Sequence, residues 1–180
     1  MVQKYEIQPI TSSKDSTYLQ AIKIYIDIMP ADVRTDTNEI SKFVDGPLST
    51  NGRKMYFFAL KYQGKVIGFA QFAFIPNMKI IFMDYLAIAK EYKKNSIFYP
   101  FFSMLMLYFN EQGVNYEYFF TEIGAQNDDT YVDDDSAFLR KVLAMENFNI
   151  IDCLYRQPCL GYNKEESNIW TIVKPVDTIS

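Results

Sequence analysis

Asp84-Tyr85-Leu86-Ala87-Ile88-Ala89-Lys90-Glu91-Tyr92-Lys93-Lys94-Asn95-Ser96-Ile97-Phe98, running on to Asn110, is the stretch on which the fold turns. Phe82 to Ile88 is mostly apolar and carries Ile, Phe and Tyr, a pattern that predicts a buried strand. A polar run with three lysines follows. Phe101 to Phe109 is then apolar on nearly every face, which predicts a buried helix. Strand, short cationic turn and buried helix is a layout suited to anions, because free N–H groups and the positive dipole end point at the ligand. The same spacing also describes a lysine-bearing surface loop between two core elements.

Outward from that stretch, the chain alternates strand and helix signals. Tyr5 to Ile10 reads as a first strand, with Pro9 placing that end at an edge. Thr11-Ser12-Ser13 before Lys14-Asp15 signals a helix start, and Tyr18, Ile22, Ile24, Tyr25 and Ile28 form its stripe up to Met29-Pro30. Asp36-Thr37 caps a second short helix that Gly46-Pro47 ends, and Ser49 to Gly52 reads as loop. Met55–Lys61, Val66–Phe74 and Lys79–Ile88 predict a three-strand meander. Gln63-Gly64 supplies the positive φ of its first hairpin and Pro76-Asn77 makes its second turn. Gly113 ends the buried helix, with a start expected at Pro100. Tyr116–Ile123 predicts a strand, Ala137–Glu146 a helix, and Asn149–Leu154 and Ile169–Lys174 two closing strands. The order implies a mixed α+β sheet with helices on its faces, in a single domain over residues 1–180.

Composition narrows the chemistry. The 180 residues are 49% hydrophobic and carry a net charge of −4, which excludes a disordered chain and argues against unassisted nucleic-acid binding. Met1 to Glu6 lacks the apolar core of a signal peptide, and no apolar run reaches membrane-spanning length; the expectation is a cytoplasmic protein without membrane contact. Cys153 and Cys159 do not make a disulfide framework, and in a cytosol they stay reduced. Histidine is absent, which excludes Ser-His-Asp and Cys-His catalysis and argues against a metal site. Acid–base work falls to carboxylates, tyrosines, lysines or water.

Several strings resemble the GCN5-related N-acetyltransferase (GNAT) family over nearly the whole chain. Lys65-Val66-Ile67-Gly68-Phe69-Ala70 is similar to its third strand. Tyr85-Leu86-Ala87-Ile88 with Glu91-Tyr92-Lys93 is similar to the strand and turn before its pyrophosphate loop. Glu146-Asn147-Phe148 stands where the family has Gly-Phe, and Tyr155-Arg156-Gln157-Pro158 resembles a segment of one bacterial branch. The resemblance implies a GNAT-like acyl-CoA N-acyltransferase fold: a central, mostly antiparallel sheet of six to seven strands with helices on both faces. It implies acetyl-CoA as co-substrate, with the pantetheine arm held by Leu86, Ala87 and Ile88. The pyrophosphate would be cradled by Lys93, Lys94, Asn95, Ser96, Ile97 and Phe98. Ser96 and Phe98 take positions where the family keeps small residues, and Phe98 adds a ring there. Leu143 stands where the family often has a thiolate-protonating tyrosine.

Two functional classes follow. One is an N-acetyltransferase acting on a primary amine of a small molecule or protein, with Glu122 as the base. The other is a catalytically degenerate protein of the same fold that binds a ligand or a protein. Glu122 also fits a solvated strand-end carboxylate. Asp128, Asp129, Asp133, Asp134 and Asp135 lack the spacing of an EF-hand; they read as a solvated loop, or as an acidic lip that favours a cationic acceptor. An exposed sheet edge leaves room for pairing two chains into a homodimer.

Overall fold

A computed structural model describes residues 5–29, 31, 34–47, 49–50, 52–93, 97–124, 141, 143–144, 147–157 and 167–175. Its frame is one sheet containing β1 (Tyr5–Pro9), β2 (Ser49–Thr50), β3 (Arg53–Tyr62), β4 (Lys65–Ile75), β5 (Ile80–Ile88), β6 (Tyr118–Gly124), β7 (Asn149–Gln157) and β8 (Ser167–Pro175). The main path runs β1-β3-β4-β5-β6-β8-β7, with the two-residue β2 beside β3. That is seven strands on the path, as expected, and the eighth is a correction: Ser49 and Thr50 pair with Lys54 and Arg53 instead of forming loop.

Every pairing is antiparallel except β5 with β6, whose registers run Ile80↔Tyr118 to Met83↔Thr121. A parallel pair needs a long crossover, and α3 (Phe98–Glu111) lies in that connection. The two meander turns join antiparallel strands as the sequence predicts. Gln63 and Gly64 both sit at positive φ, 50° and 78°, the geometry whose twist matches a tight hairpin.

Helices cover both faces. α1 (Ser16–Ile28) is capped by Asp15, whose Oδ1 accepts from the Thr17 N–H at 2.9 Å; α2 (Thr37–Asp45) is capped by Asp36, which accepts from Asn38 at 2.7 Å. Tyr18, Ala21, Ile22, Tyr25, Ile40 and Val44 from these helices pack on Phe57, Ala59, Val66, Phe69 and Tyr85. On the opposite face, Phe98, Phe101, Phe102, Leu105 and Phe109 of α3 pack on Phe58, Leu60, Phe72, Ile81, Met83 and Phe119. The buried-helix expectation holds for that side of α3 only. Its outer side exposes Ser103, Leu107 and Asn110.

The helix also begins earlier than expected. It starts at Phe98, and Pro100 is its third residue. The first four N–H groups of a helix have no partner inside it, so a proline there forfeits no ladder bond.

The predicted helix over 137–146 is described only at Lys141, Leu143 and Ala144, which are helical. The acidic residues Asp128, Asp129, Asp133, Asp134 and Asp135 lie outside the described residues, as does Cys159. No helix among the described residues is long and apolar enough to cross a membrane. No cluster of three or more metal-ligating side chains occurs among them.

Candidate functional site

The site begins where a ladder stops. β5 and β6 pair only as far as Met83 and Thr121, while β5 continues to Ile88 and β6 to Gly124. Beyond that point β6 stays with β8, pairing Glu122 with Thr171 and Ile123 with Trp170. β5 stays with β4, pairing Leu86 with Ala70 and Ile88 with Gly68. The two parallel strands therefore part, and the ladder between β5 and β6 does not continue past Met83 and Thr121 among the described residues. An extended, amide-bearing chain could bond along β5 beyond that point as another strand would.

A β-bulge marks the parting. Gln71 pairs with Tyr85 and Phe72 with Met83, leaving Asp84 as the extra residue of β5. The bulge reverses the alternation of side chains. Ile81 and Met83 belong to the α3-side cluster, and so do Leu86 and Ile88, whereas Tyr85 packs with the α1 and α2 side. Asp84 is thus turned to the α1 side next to Tyr85. Close packing holds β4 to β5 just beyond: a Cβ on Gly68 would stand 2.6 Å from the Ala87 carbonyl oxygen, so only glycine fits.

Gln71, Asp84 and Glu122 form a row across three neighbouring strands on that face. Gln71 is 5% exposed, and its Nε2 donates to Asp84 Oδ2 at 3.1 Å. Burial pushes the Asp84 carboxyl up to about 6, against the pull of the Gln71 amide and the Arg53 charge. Burial, followed by repulsion from Asp84, pushes Glu122 up to about 7. The phenol of Tyr85 meets the chain between α1 and α2: the Thr35 N–H donates to it at 3.1 Å and Thr35 Oγ1 lies 3.0 Å away. Tyr25 donates to the Thr35 carbonyl at 3.2 Å, so one tyrosine from α1 and one from β5 hold this connection.

Of the residues singled out in the sequence, Glu122 stands at the parting of β5 and β6. Leu86, Ala87 and Ile88 lie on β5 beyond its last pairing with β6; Ala87 is buried, and Leu86 and Ile88 pack toward α3. Lys93 is exposed and its N–H donates to the Lys90 carbonyl, closing the 3-10 turn Lys90–Tyr92. Lys94, Asn95 and Ser96 lie outside the described residues. Ile97 and Phe98 are buried, and the Phe98 ring stacks on Phe102 at 5.6 Å and 13°. The expectation that this ring projects into the loop is corrected, because the first helical turn rotates it into the α3-side core. Leu143 is fully buried, and its carbonyl accepts from the Phe148 N–H at 2.9 Å.

Two members of the row were missed in the sequence. Asp84 was read as one residue of an apolar strand, and Gln71 as part of a returning strand. The available signal was a carboxylate and an amide inside otherwise apolar runs. Their meeting depends on the bulge, which no spacing rule reveals.

A cleft of about 330 Å³ lies at the opposite end of these strands, lined by Lys54, Tyr56, Phe74, Pro76, Lys79, Gln112, Gly113, Val114 and Asn115. Lys79 there is ion-paired with Glu117.

No family model matches the chain, and no curated protein matches it. Solved structures do. A GNAT-family acetyltransferase from Bacteroides thetaiotaomicron superposes with a TM-score of 0.69 at 12% identity, covering 96% of this chain and 88% of that one. The Salmonella typhimurium acetyl transferase that modifies the N-terminal serine of 50S ribosomal subunit protein L7/L12 gives 0.67 at 16% identity, covering 98% and 97%. A GNAT family acetyltransferase from Elizabethkingia anophelis with acetyl-CoA bound gives 0.57 at 13% identity, covering 96% and 98%. The chain has the GNAT fold.

Proposed function

We propose that this protein is an acetyl-CoA-dependent N-acetyltransferase acting on a primary amine of a small molecule or a protein. The observation that carries this reading is the parting of β5 from β6 with Glu122 at its mouth. The edge of β5 over Leu86, Ala87 and Ile88, beyond its last pairing with β6, fits the amide-bearing arm of acetyl-CoA, with Lys93, Lys94 and the N–H groups that open α3 toward the phosphates. Bound there, acetyl-CoA supplies an activated acyl group. An amine arrives at neutral pH as the ammonium ion and must lose a proton before it can attack. Glu122, with its carboxyl near neutrality, is matched to take that proton. Pro100 removes one N–H from the opening turn, but Phe98 leaves only its backbone toward the loop.

A second reading has its own observation. Leu143 is apolar and fully buried where the resemblance expects a proton donor, which fits a ligand-binding protein that does not turn over. Titrating acetyl-CoA calorimetrically into wild type and Glu122→Gln, and assaying both for acetyl transfer, separates the two. The enzyme reading expects similar acetyl-CoA affinity in both proteins and a transfer rate about 10²–10⁴-fold lower in the variant. Binding without transfer in either protein selects the second reading, and no binding at all defeats both.

A further inference from the structure

Burying a polar atom without a partner is costly, and Gln71 Oε1 is such an atom. It is buried and accepts no hydrogen bond from any described residue, whereas Asp84, which engages the other end of the same amide, is only half-buried. The amide head is therefore fixed against the Asp84 carboxylate with its carbonyl oxygen still needing a donor. Asp84 is an acceptor as well, and Arg53, the cation whose charge it feels, stands exposed at the start of β3. An amide oxygen without a donor, on a head group already bonded to a carboxylate, asks for a ligand with several N–H donors and a positive charge. A primary ammonium group, with three donors and no acceptor, has that character.

We propose that Gln71 and Asp84 form a receptor for a second cationic amino group of the acceptor, so that the preferred substrate is a diamine. The inference rests on the acetyltransferase reading of the same site and divides its labour. The reacting nitrogen must become neutral, so a nest of acceptors that stabilises its ammonium form would slow it. Such a nest serves better for a nitrogen that keeps its charge throughout. Glu122 lies one strand beyond Asp84 and two beyond Gln71. Because β5 and β6 part here, a nitrogen held between Gln71 and Asp84 lies at least one and a half strand spacings from the Glu122 strand, about 7 Å or more, a gap that takes a chain of at least about four methylenes.

The test compares 1,4-diaminobutane with 1-aminopentane, which has the same number of heavy atoms and one ammonium group fewer. Each is titrated calorimetrically into wild type, Gln71→Leu and Asp84→Asn in the presence of coenzyme A, with thermal unfolding as the control for folding. Wild type is expected to bind the diamine about tenfold more tightly or better, the worth of one hydrogen bond to a charged group. Gln71→Leu and Asp84→Asn should each erase that preference. Equal affinities in wild type, no binding of either amine, or a preference that survives in both variants would overturn the proposal. Any of these would leave Gln71 Oε1 to a bound water. Acetyl transfer assayed alongside keeps the two ideas apart. Diamine preference in binding without any transfer defeats the enzyme and keeps the receptor, whereas transfer to both amines with equal kcat/KM keeps the enzyme and defeats the receptor.

Discussion

The two faces of the sheet are both rich in aromatic rings and use them in opposite ways. On the α3 side the rings meet other rings. Phe109 alone packs edge-on against Tyr56, Phe58, Phe72, Tyr108 and Tyr116, with centroids 5.3–6.4 Å apart. On the α1 and α2 side Phe57 and Phe69 also meet rings, but three tyrosines there end in hydroxyls that meet polar partners. Tyr18 lies 2.8 Å from Ser41 Oγ, Tyr25 donates to Thr35, and Tyr85 joins Thr35 from β5. That same side holds the Gln71–Asp84 pair. Dispersion and burial are non-directional, so the α3 face can hold the fold without aiming any group. Hydrogen bonds are directional, so the other face can aim groups at a ligand, at the cost of desolvating them.

If this division is right, the largest stability effect belongs to the α3 side. Phe109→Ala removes a fully buried ring that five others contact, and should lower unfolding stability by about 3–5 kcal/mol. Urea unfolding measures it directly. A loss below about 1 kcal/mol would mean that the α3 face relaxes around the gap, and that the contrast between the faces is overdrawn.

The same contrast explains what could be read in advance. Periodicity and turn chemistry are local, and they placed the meander, the Gln63-Gly64 hairpin, both carboxylate-capped helices and the parallel crossover. Glu122 was singled out because the resemblance puts a base at the end of that strand, and the structure brings it to the point where β5 and β6 part. The start of α3 was misjudged because the rule on residues preceding proline treats helix interiors, whereas the first turn tolerates Pro100. The Phe98 ring was misplaced because its direction depends on helix phase, which shifts with the start residue. Asp84 and Gln71 stayed hidden for a different reason. Their contact is made by a single-residue bulge between neighbouring strands, a property of register that the two segments do not carry separately.

A smaller effect probes the polar side by pH. Both carboxyls are held above their ordinary values of 3.8 and 4.5, at about 6 for Asp84 and about 7 for Glu122. The native state therefore binds these protons more tightly than the unfolded chain does. Stability from this source is fully present below about pH 4 and is lost as pH rises through 6 to 7. On the proposed acetyltransferase reading activity runs the other way, because Glu122 as the base must be ionised to accept a proton, so the rate should climb through about pH 7. Asp84→Asn removes the charge that opposes ionisation of Glu122. Its rising limb in kcat/KM should move to lower pH, and its stability should fall less than that of wild type between pH 4 and pH 8. A limb that stays in place would show that Asp84 and Glu122 do not sense each other, and the row would dissolve into separate residues.

The smallest expected effect concerns the hydroxyl of Tyr85, and it tests whether the polar side aims anything at all. Tyr85→Phe keeps the ring against Tyr25, whose centroid is 5.0 Å away, and removes only the group that meets Thr35. The Thr35 N–H then needs another acceptor, and stability should fall by about 1 kcal/mol, the usual net worth of such a bond. A purely structural role would end there. If the clamp also positions the connection between α1 and α2 as part of the proposed amine site, the KM for an amine should rise while the acetyl-CoA affinity that the proposed function assigns to β5 and the opening of α3 stays unchanged. Steady-state kinetics with each substrate varied in turn reads that split. A rise in both constants would show the whole sheet loosening, and a rise in neither would leave Tyr85 as one more tenant of the core.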